Sequence, residues 1–385
     1  MATDSRKMLW RTLIFLYIGL SCLLYGACSI LSDLAPVKEE VVDVRDWLVV
    51  PIFYATNRAR ADSKQIDFLE KKNNGPLAFG VKNICVPYPE KVSISPEIID
   101  RLGWRLIHLQ KAIPSNTLPV ILPEQKNHIP DQEFSPREVA SAFEKYRGLI
   151  VNGDVVVFVH GCCVTFKTSL ERTAKLAVQM QTPVIVYSWV SPIGFEKYLE
   201  NGTLAQQAYD SFCTFLDRLA QRVPTDKTIV IGHSMGAGFI DEAFVRRFER
   251  SYGGKVLPKY KEIIFSQPDI DARVYLNHDK NTISQANKTT IFMVSDDPRL
   301  RTAALAHGRF ERLGLPGPLL DELCKLDTQD IIDLTVSGIG HNLPARFIGS
   351  MYRIGTINGS DYNLVQKQKH LFILERNDST TPTKH

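Results

Sequence analysis

Ser234 lies in the run Gly232-His233-Ser234-Met235-Gly236, between the apolar stretch Thr228-Ile229-Val230-Ile231 and a helical stretch, Phe239–Arg250. A G-x-S-x-G run between a buried strand and a helix is a nucleophile elbow, in which a strained turn lifts the serine hydroxyl above the sheet. Side chains at positions 232 and 236 would collide in so sharp a turn, hence the two glycines. The helix beginning at Met235 points its positive end at the hydroxyl, which favours negative charge developing there. A serine hydroxyl is a poor nucleophile until a base takes its proton, so the motif calls for a histidine and a carboxylate elsewhere in the chain.

An elbow of this kind has its partners in the chain order serine, acid, histidine. His341 fits the base, on the glycine-rich loop Val336-Ser337-Gly338-Ile339-Gly340-His341-Asn342 after the apolar run Asp330–Leu334. His278 and His307 come too early, and His370 and His385 lie beyond that run, read as the last regular strand. For the acid the strand end Ser295-Asp296-Asp297-Pro298-Arg299 offers two carboxylates, with Asp297 favoured over Asp296. A second strand end, Gln267-Pro268-Asp269-Ile270-Asp271, leaves Asp269 and Asp271 open as alternatives. An aspartate not used this way would cap the following helix. The tetrahedral intermediate needs two main-chain N–H donors. Met235, next to the nucleophile, supplies one; Cys162, in His160-Gly161-Cys162-Cys163 after the run Val155–Val159, supplies the other.

These loops need a frame, and the remainder of the chain provides one. Short continuous apolar runs recur at Leu48–Tyr54, Phe79–Val86, Val155–Val159, Val184–Tyr187, Thr228–Ile231, Glu262–Phe265, Thr290–Val294 and Asp330–Leu334. Such runs suit strands covered on both faces. Between them lie helical periodicities, the clearest being Leu204, Ala208, Phe212, Phe215, Leu216, Leu219 and Val223. Alternating strands and helices predict an α/β fold with a mostly parallel central sheet and helices on both faces. Residues 110–135, with four prolines, read as a surface excursion. Ser135-Pro136-Arg137-Glu138 combines a capping box with proline at the first helical position, opening a helix to about Arg147.

The N-terminus has a different character. Arg6, Lys7 and Arg11 precede Thr12–Ala27, which carries no charge. This is the basic head and apolar core of a secretory signal. It ends in Leu24-Tyr25-Gly26-Ala27-Cys28-Ser29, which resembles the lipobox of bacterial lipoproteins, with Cys28 as the lipidated residue. The other reading is an uncleaved anchor, since Thr12–Ser32 is just long enough to span a bilayer. Either way the basic residues before the apolar run set the rest of the chain outside the cytoplasm. The expected organisation is a signal or anchor at 1–28, a linker at 29–45, the catalytic domain at 46–352, and a C-terminal extension with a polar tail at 353–385.

Composition narrows the function further. The 385 residues are 44% apolar and 23% charged, with a net charge of +4. No basic stripe interleaved with aromatics appears, so nucleic acid is a poor partner. Of the seven cysteines two lie in the signal; the rest have no regular spacing, so they form neither a disulfide framework nor a metal-ligand pattern.

Taken together, Phe53-Tyr54-Ala55-Thr56-Asn57-Arg58, Phe158-Val159-His160-Gly161 with Val164-Thr165-Phe166, Ser188-Trp189, Gly232–Gly236, Pro268-Asp269-Ile270-Asp271 and Ser295-Asp296-Asp297 resemble a bacterial α/β-hydrolase family of unknown function within the esterase/lipase superfamily. The likeness covers roughly residues 48–345. It implies the α/β-hydrolase fold, Asp297 as the acid and His341 as the terminal histidine, with no cofactor. Cys162 departs from the family, which usually has an aromatic residue there. Arg299 and His307-Gly308-Arg309 echo it. The expectation is a membrane-anchored serine hydrolase acting on small-molecule or lipid esters in the bacterial envelope. The competing expectation is a catalytically silent envelope protein that uses the same fold for binding or assembly.

Overall fold

A computed structural model of the chain describes residues 41–42, 46–60, 68, 75–89, 92–108, 113–114, 131–135, 138, 153–191, 194, 197–251, 257–308, 310–357 and 361–377. The signal or anchor with Cys28, and the linker but for Val41 and Val42, lie outside them, as do most of the excursion and the helix expected to run to Arg147. Its capping box is present: Glu138 N–H donates to Ser135 Oγ at 3.3 Å, and Ser135 N–H to Glu138 Oε2 at 2.8 Å. Among the described residues no helix is long and apolar enough to cross a membrane.

The strands are β1 (Val41–Val42), β2 (Trp47–Thr56), β3 (Ala78–Pro87), β4 (Arg105–Ile107), β5 (Ile113–Pro114), β6 (Gln132–Phe134), β7 (Val155–Val159), β8 (Val184–Ser188), β9 (Thr228–His233), β10 (Glu262–Ser266), β11 (Thr289–Met293), β12 (Gln329–Asp333), β13 (Tyr362–Gln368) and β14 (Leu371–Arg376). The helices are α1 (Pro96–Arg101), α2 (Phe166–Met180), α3 (Tyr198–Ala220), α4 (Met235–Arg250), α5 (Ala272–Thr282), α6 (Pro298–Ala306), α7 (Leu320–Leu323) and α8 (Ala345–Ile354). One 12-stranded sheet has the order β13-β14-β12-β11-β10-β9-β7-β8-β2-β3-β6, with β4 also on β2. From β2 through β14 the neighbours run parallel. The two outer ends are antiparallel.

The apolar runs of the central strands are continuous because both faces of the sheet are covered there. In β7, Val155, Val157 and Val159 enter one core layer, with α3 and α4, while Val156 and Phe158 enter the other, with α2 and α8. Alternation along the strand therefore sorts side chains between two layers that are both dry. The apolar stripe from Leu204 to Leu219 belongs to α3, whose Ala208, Phe212, Phe215 and Leu216 are buried, and Val223 is buried just past its end.

Two boundaries differ from expectation. The end of the surface excursion, Gln132–Phe134, is the edge strand β6 on β3. The sheet also continues past 330–334: β14 pairs parallel with β12, and β13 returns beside it, so His370 sits in a hairpin of the sheet. Of β14 only Leu374 is fully buried, so its apolar run Leu371–Leu374 is less covered than those of the central strands.

Candidate active site

Five consecutive parallel strands, β7, β9, β10, β11 and β12, deliver their C-terminal loops to one edge of the sheet, where open α/β sheets place their ligands. Ser234 joins β9 to α4 at φ 55° and ψ −125°. A non-glycine residue in that region is strained by about 1–3 kcal/mol and persists only where its surroundings enforce it. They do so here: a Cβ on Gly232 would lie 2.6 Å from Ala237 Cα, and one on Gly236 would strike the carbonyls of Val159 and His160. The backbone is pinned on both sides, Ser234 N–H donating to Ser266 O at 2.9 Å and Asp269 N–H to Ser234 O at 3.2 Å.

His341 Nε2 lies 2.9 Å from Ser234 Oγ, and His341 Nδ1 lies 2.6 Å from Asp297 Oδ2. The carboxylate fixes the tautomer: with the proton on Nδ1, the Nε2 lone pair faces the serine hydroxyl. Asp297 is fully buried, and its other oxygen, Oδ1, accepts from Arg299 N–H at 2.9 Å and Leu300 N–H at 3.1 Å. It is thus the N-cap of α6 as well as the partner of His341. Capping is the role expected of an aspartate that does not serve the base; here one side chain does both.

The remaining candidate carboxylates are occupied otherwise. Asp296 is exposed. Asp271 Oδ1 caps α5, accepting from Arg273 N–H and Val274 N–H. Asp269 accepts from the Tyr198 hydroxyl through Oδ2, and Arg312 Nε lies 3.4 Å from its Oδ1. Burial, and then the Asp269 carboxylate, push the Tyr198 phenol well above its usual range, so this tyrosine stays a neutral donor.

The loop bearing His341 is held by residues the sequence reading did not single out. Gln267 Nε2 donates to Gly340 O at 2.6 Å and Asn342 O at 3.0 Å. His233 Nε2 donates to His341 O at 3.1 Å. Burial, reinforced by the neighbouring His341, holds His233 well below the usual histidine range, which keeps it neutral. Three successive carbonyls are therefore gripped from inside the protein. Gln267 reaches them with backbone φ 44°. In the sequence the available signal was its place, the first residue after the strand and just before Pro268-Asp269.

The other expected oxyanion element is the loop after β7. A Cβ on Gly161 would lie 2.9 Å from Ser234 Cβ, so this loop packs directly on the serine, and Cys162 follows. Met235 opens α4, where an N–H in the first turn has no intrahelical acceptor. The loop is braced by buried groups: Trp189 Nε1 donates to His160 O at 2.8 Å, and Arg58 Nη2 to Val164 O at 3.0 Å and Trp189 O at 2.5 Å. His160 stacks on Trp189 with planes 6° apart. Among the described residues no group of three His, Cys, Asp or Glu side chains is arranged to hold a metal ion.

A parallel sheet with helices on both faces, and a strained serine between a central strand and a helix at its C-terminal edge, are the architecture of an α/β hydrolase. The model of a family described as alpha/beta hydrolase of unknown function (DUF900) matches residues 141–335, and the chain belongs to that family. No curated protein matches the chain. Among solved structures it is similar to a hyperthermophilic esterase from Pyrobaculum calidifontis, at 14% identity and a TM-score of 0.30, over 52% of this chain and 78% of that one. The hormone-sensitive-lipase homologue EstE7 from a metagenome library gives 13%, 0.31, 52% and 77%. A fungal esterase from Rhizomucor miehei gives 14%, 0.32, 52% and 72%.

Proposed function

We propose that the chain is a serine hydrolase that cleaves carboxylic esters of small molecules or lipids, through an acyl-enzyme on Ser234. In this reading His341 takes the hydroxyl proton as Ser234 Oγ attacks the ester carbonyl, and Asp297 steadies the imidazolium. The N–H groups of Cys162 and Met235 stabilise the oxyanion. His341 then gives its proton to the departing alcohol, and a water activated by the same imidazole releases the acid. One observation carries the reading: both nitrogens of His341 are engaged at once, by Ser234 Oγ at 2.9 Å and Asp297 Oδ2 at 2.6 Å. The basic head and apolar run within residues 1–28 support a membrane-tethered enzyme facing the outside of a bacterial cytoplasm.

Labelling with a fluorophosphonate, alongside turnover of chromogenic esters of graded acyl length, tests the chemistry. Wild type should label and turn over, and Ser234→Ala should do neither. Folded wild type that stays unlabelled would sink the reading and favour a silent module. Incorporation of radiolabelled palmitate, lost in Cys28→Ala, tests the tether.

A further inference from the structure

The chemistry proposed for Ser234 takes only a main-chain N–H from the loop after β7 and leaves two thiols there unused. Cys162 and Cys163 are half-buried thiols, neither in a disulfide, with their Sγ atoms 3.2 Å apart, and Cys163 Sγ also donates to Gly194 O at 3.7 Å. Neighbouring side chains on an extended backbone point to opposite sides. Cys163 has φ 61°, the left-handed region that a residue with a Cβ seldom adopts, and its thiol meets that of Cys162. The same loop rests on Ser234 through Gly161 and on Trp189 through His160.

We propose that Cys162 and Cys163 are a modification site at which a low-molecular-weight disulfide closes a vicinal disulfide, distorting the oxyanion loop and stopping turnover until a thiol reopens it. The loss of turnover rests on the ester-cleavage reading; the ring closure does not. In the first step the thiolate of one cysteine attacks a sulfur of the reagent, RSSR, forming a mixed disulfide and expelling RS⁻. In the second the other cysteine attacks the protein-bound sulfur, forming the Cys162–Cys163 bond and expelling a second RS⁻. The two cysteine protons end on the two RSH released. The protein pair is oxidised by two electrons and the reagent disulfide is reduced by two.

The ring is reversible for a geometric reason. Adjacent α-carbons across a trans peptide are about 3.8 Å apart. Ordinary disulfides join α-carbons roughly 4.4–6.8 Å apart, so this one is strained and easily reduced. Closure also turns the backbone between Cys162 and Cys163, next to the N–H on which oxyanion binding depends.

The test treats the full chain with 2-hydroxyethyl disulfide, then with dithiothreitol, and follows peptide mass, tryptophan fluorescence, to which Trp189 contributes beside three other tryptophans, and ester turnover. The peptide holding both residues should lose about 2 Da, two hydrogens, as expected for disulfide closure. Fluorescence should shift, turnover should fall about tenfold or more, and dithiothreitol should restore all three. Cys163→Ser should show no 2 Da loss. A wild-type peptide that keeps both hydrogens, or a closed ring with fluorescence and turnover unchanged, overturns the proposal. If reduced wild type neither turns over nor labels with fluorophosphonate, the ester-cleavage reading fails, while mass and fluorescence still decide whether the ring closes and moves the loop.

Discussion

Gln267 encloses His341 by its flanks: one amide nitrogen donates to the carbonyl before the histidine, at 2.6 Å, and to the one after it, at 3.0 Å. The bonds link the end of β10 to a loop that follows β12, two strands away. They position the imidazole over Ser234 without touching a reacting atom.

Replacing Gln267 with Met keeps the length and removes both bonds. A misplacement on the order of 1 Å in a reacting group can cost about 100-fold, so kcat should fall about 10–100-fold with KM nearly unchanged. Gln267→Glu retains one acceptor-bearing fork but loses the donor, and should not rescue. Steady-state kinetics on a chromogenic ester would decide it. A raised KM at constant kcat would mean that Gln267 shapes the pocket instead.

Asp297 divides its oxygens between the α6 cap and His341, and two substitutions should separate the jobs. In Asp297→Asn the carbonyl oxygen can still cap, while the NH2 group faces Nδ1 and enforces the wrong tautomer. Turnover should fall about 10⁴-fold, the size seen when a triad aspartate becomes an asparagine, with little change in stability. Asp297→Ala should be as inactive and also lose about 1 kcal/mol through the missing cap. Urea unfolding of both variants beside wild type makes the comparison; equal stability of the Asn and Ala forms would rule out the capping role.

The backbone at Ser234 stores strain that the fold would otherwise release. Glycine tolerates φ 55°, and alanine does not. Ser234→Gly should therefore be more stable than Ser234→Ala by about 1 kcal/mol, both without activity. Guanidinium midpoints for the two variants measure the gap. Alanine equal to or above glycine would show that the serine conformation is unstrained.

Much of this frame is legible in the chain before any coordinates. The strands that carry the site are buried on both faces, so each reads as an unbroken apolar run, and the elbow glycines mark where β9 ends. What escapes the sequence depends on tertiary contact. Asp296 and Asp297 differ by one position, and the α6 N-cap with its buried oxygen separates them. Gln267 meets its carbonyls because Gly338 and Gly340, at φ 65° and 57°, fold the loop back. The β13–β14 hairpin is half-exposed: β13 is interrupted by polar residues, and the short apolar run Leu371–Leu374 of β14 sits between the polar segments 366–370 and 375–377 with no helical pattern leading into it.

Two buried histidines should make the fold acid-sensitive. Burial is the first cause holding both His160 and His233 well below the usual range, so both stay neutral in the folded chain. Above the unfolded-state value, about 6.5, neither state binds a proton and pH has no leverage through them. Below it the unfolded chain takes up protons that the folded chain refuses, so stability is lost as pH falls toward the folded-state values. Each histidine should contribute about 1.4 kcal/mol per pH unit once well below 6.5. Urea unfolding between pH 7 and 5, repeated with His233→Asn, measures the slope, and the variant should lose one histidine's share of it. An unchanged slope would mean that His233 takes up a proton in the folded protein, and that its grip on the carbonyl of His341 survives as an imidazolium.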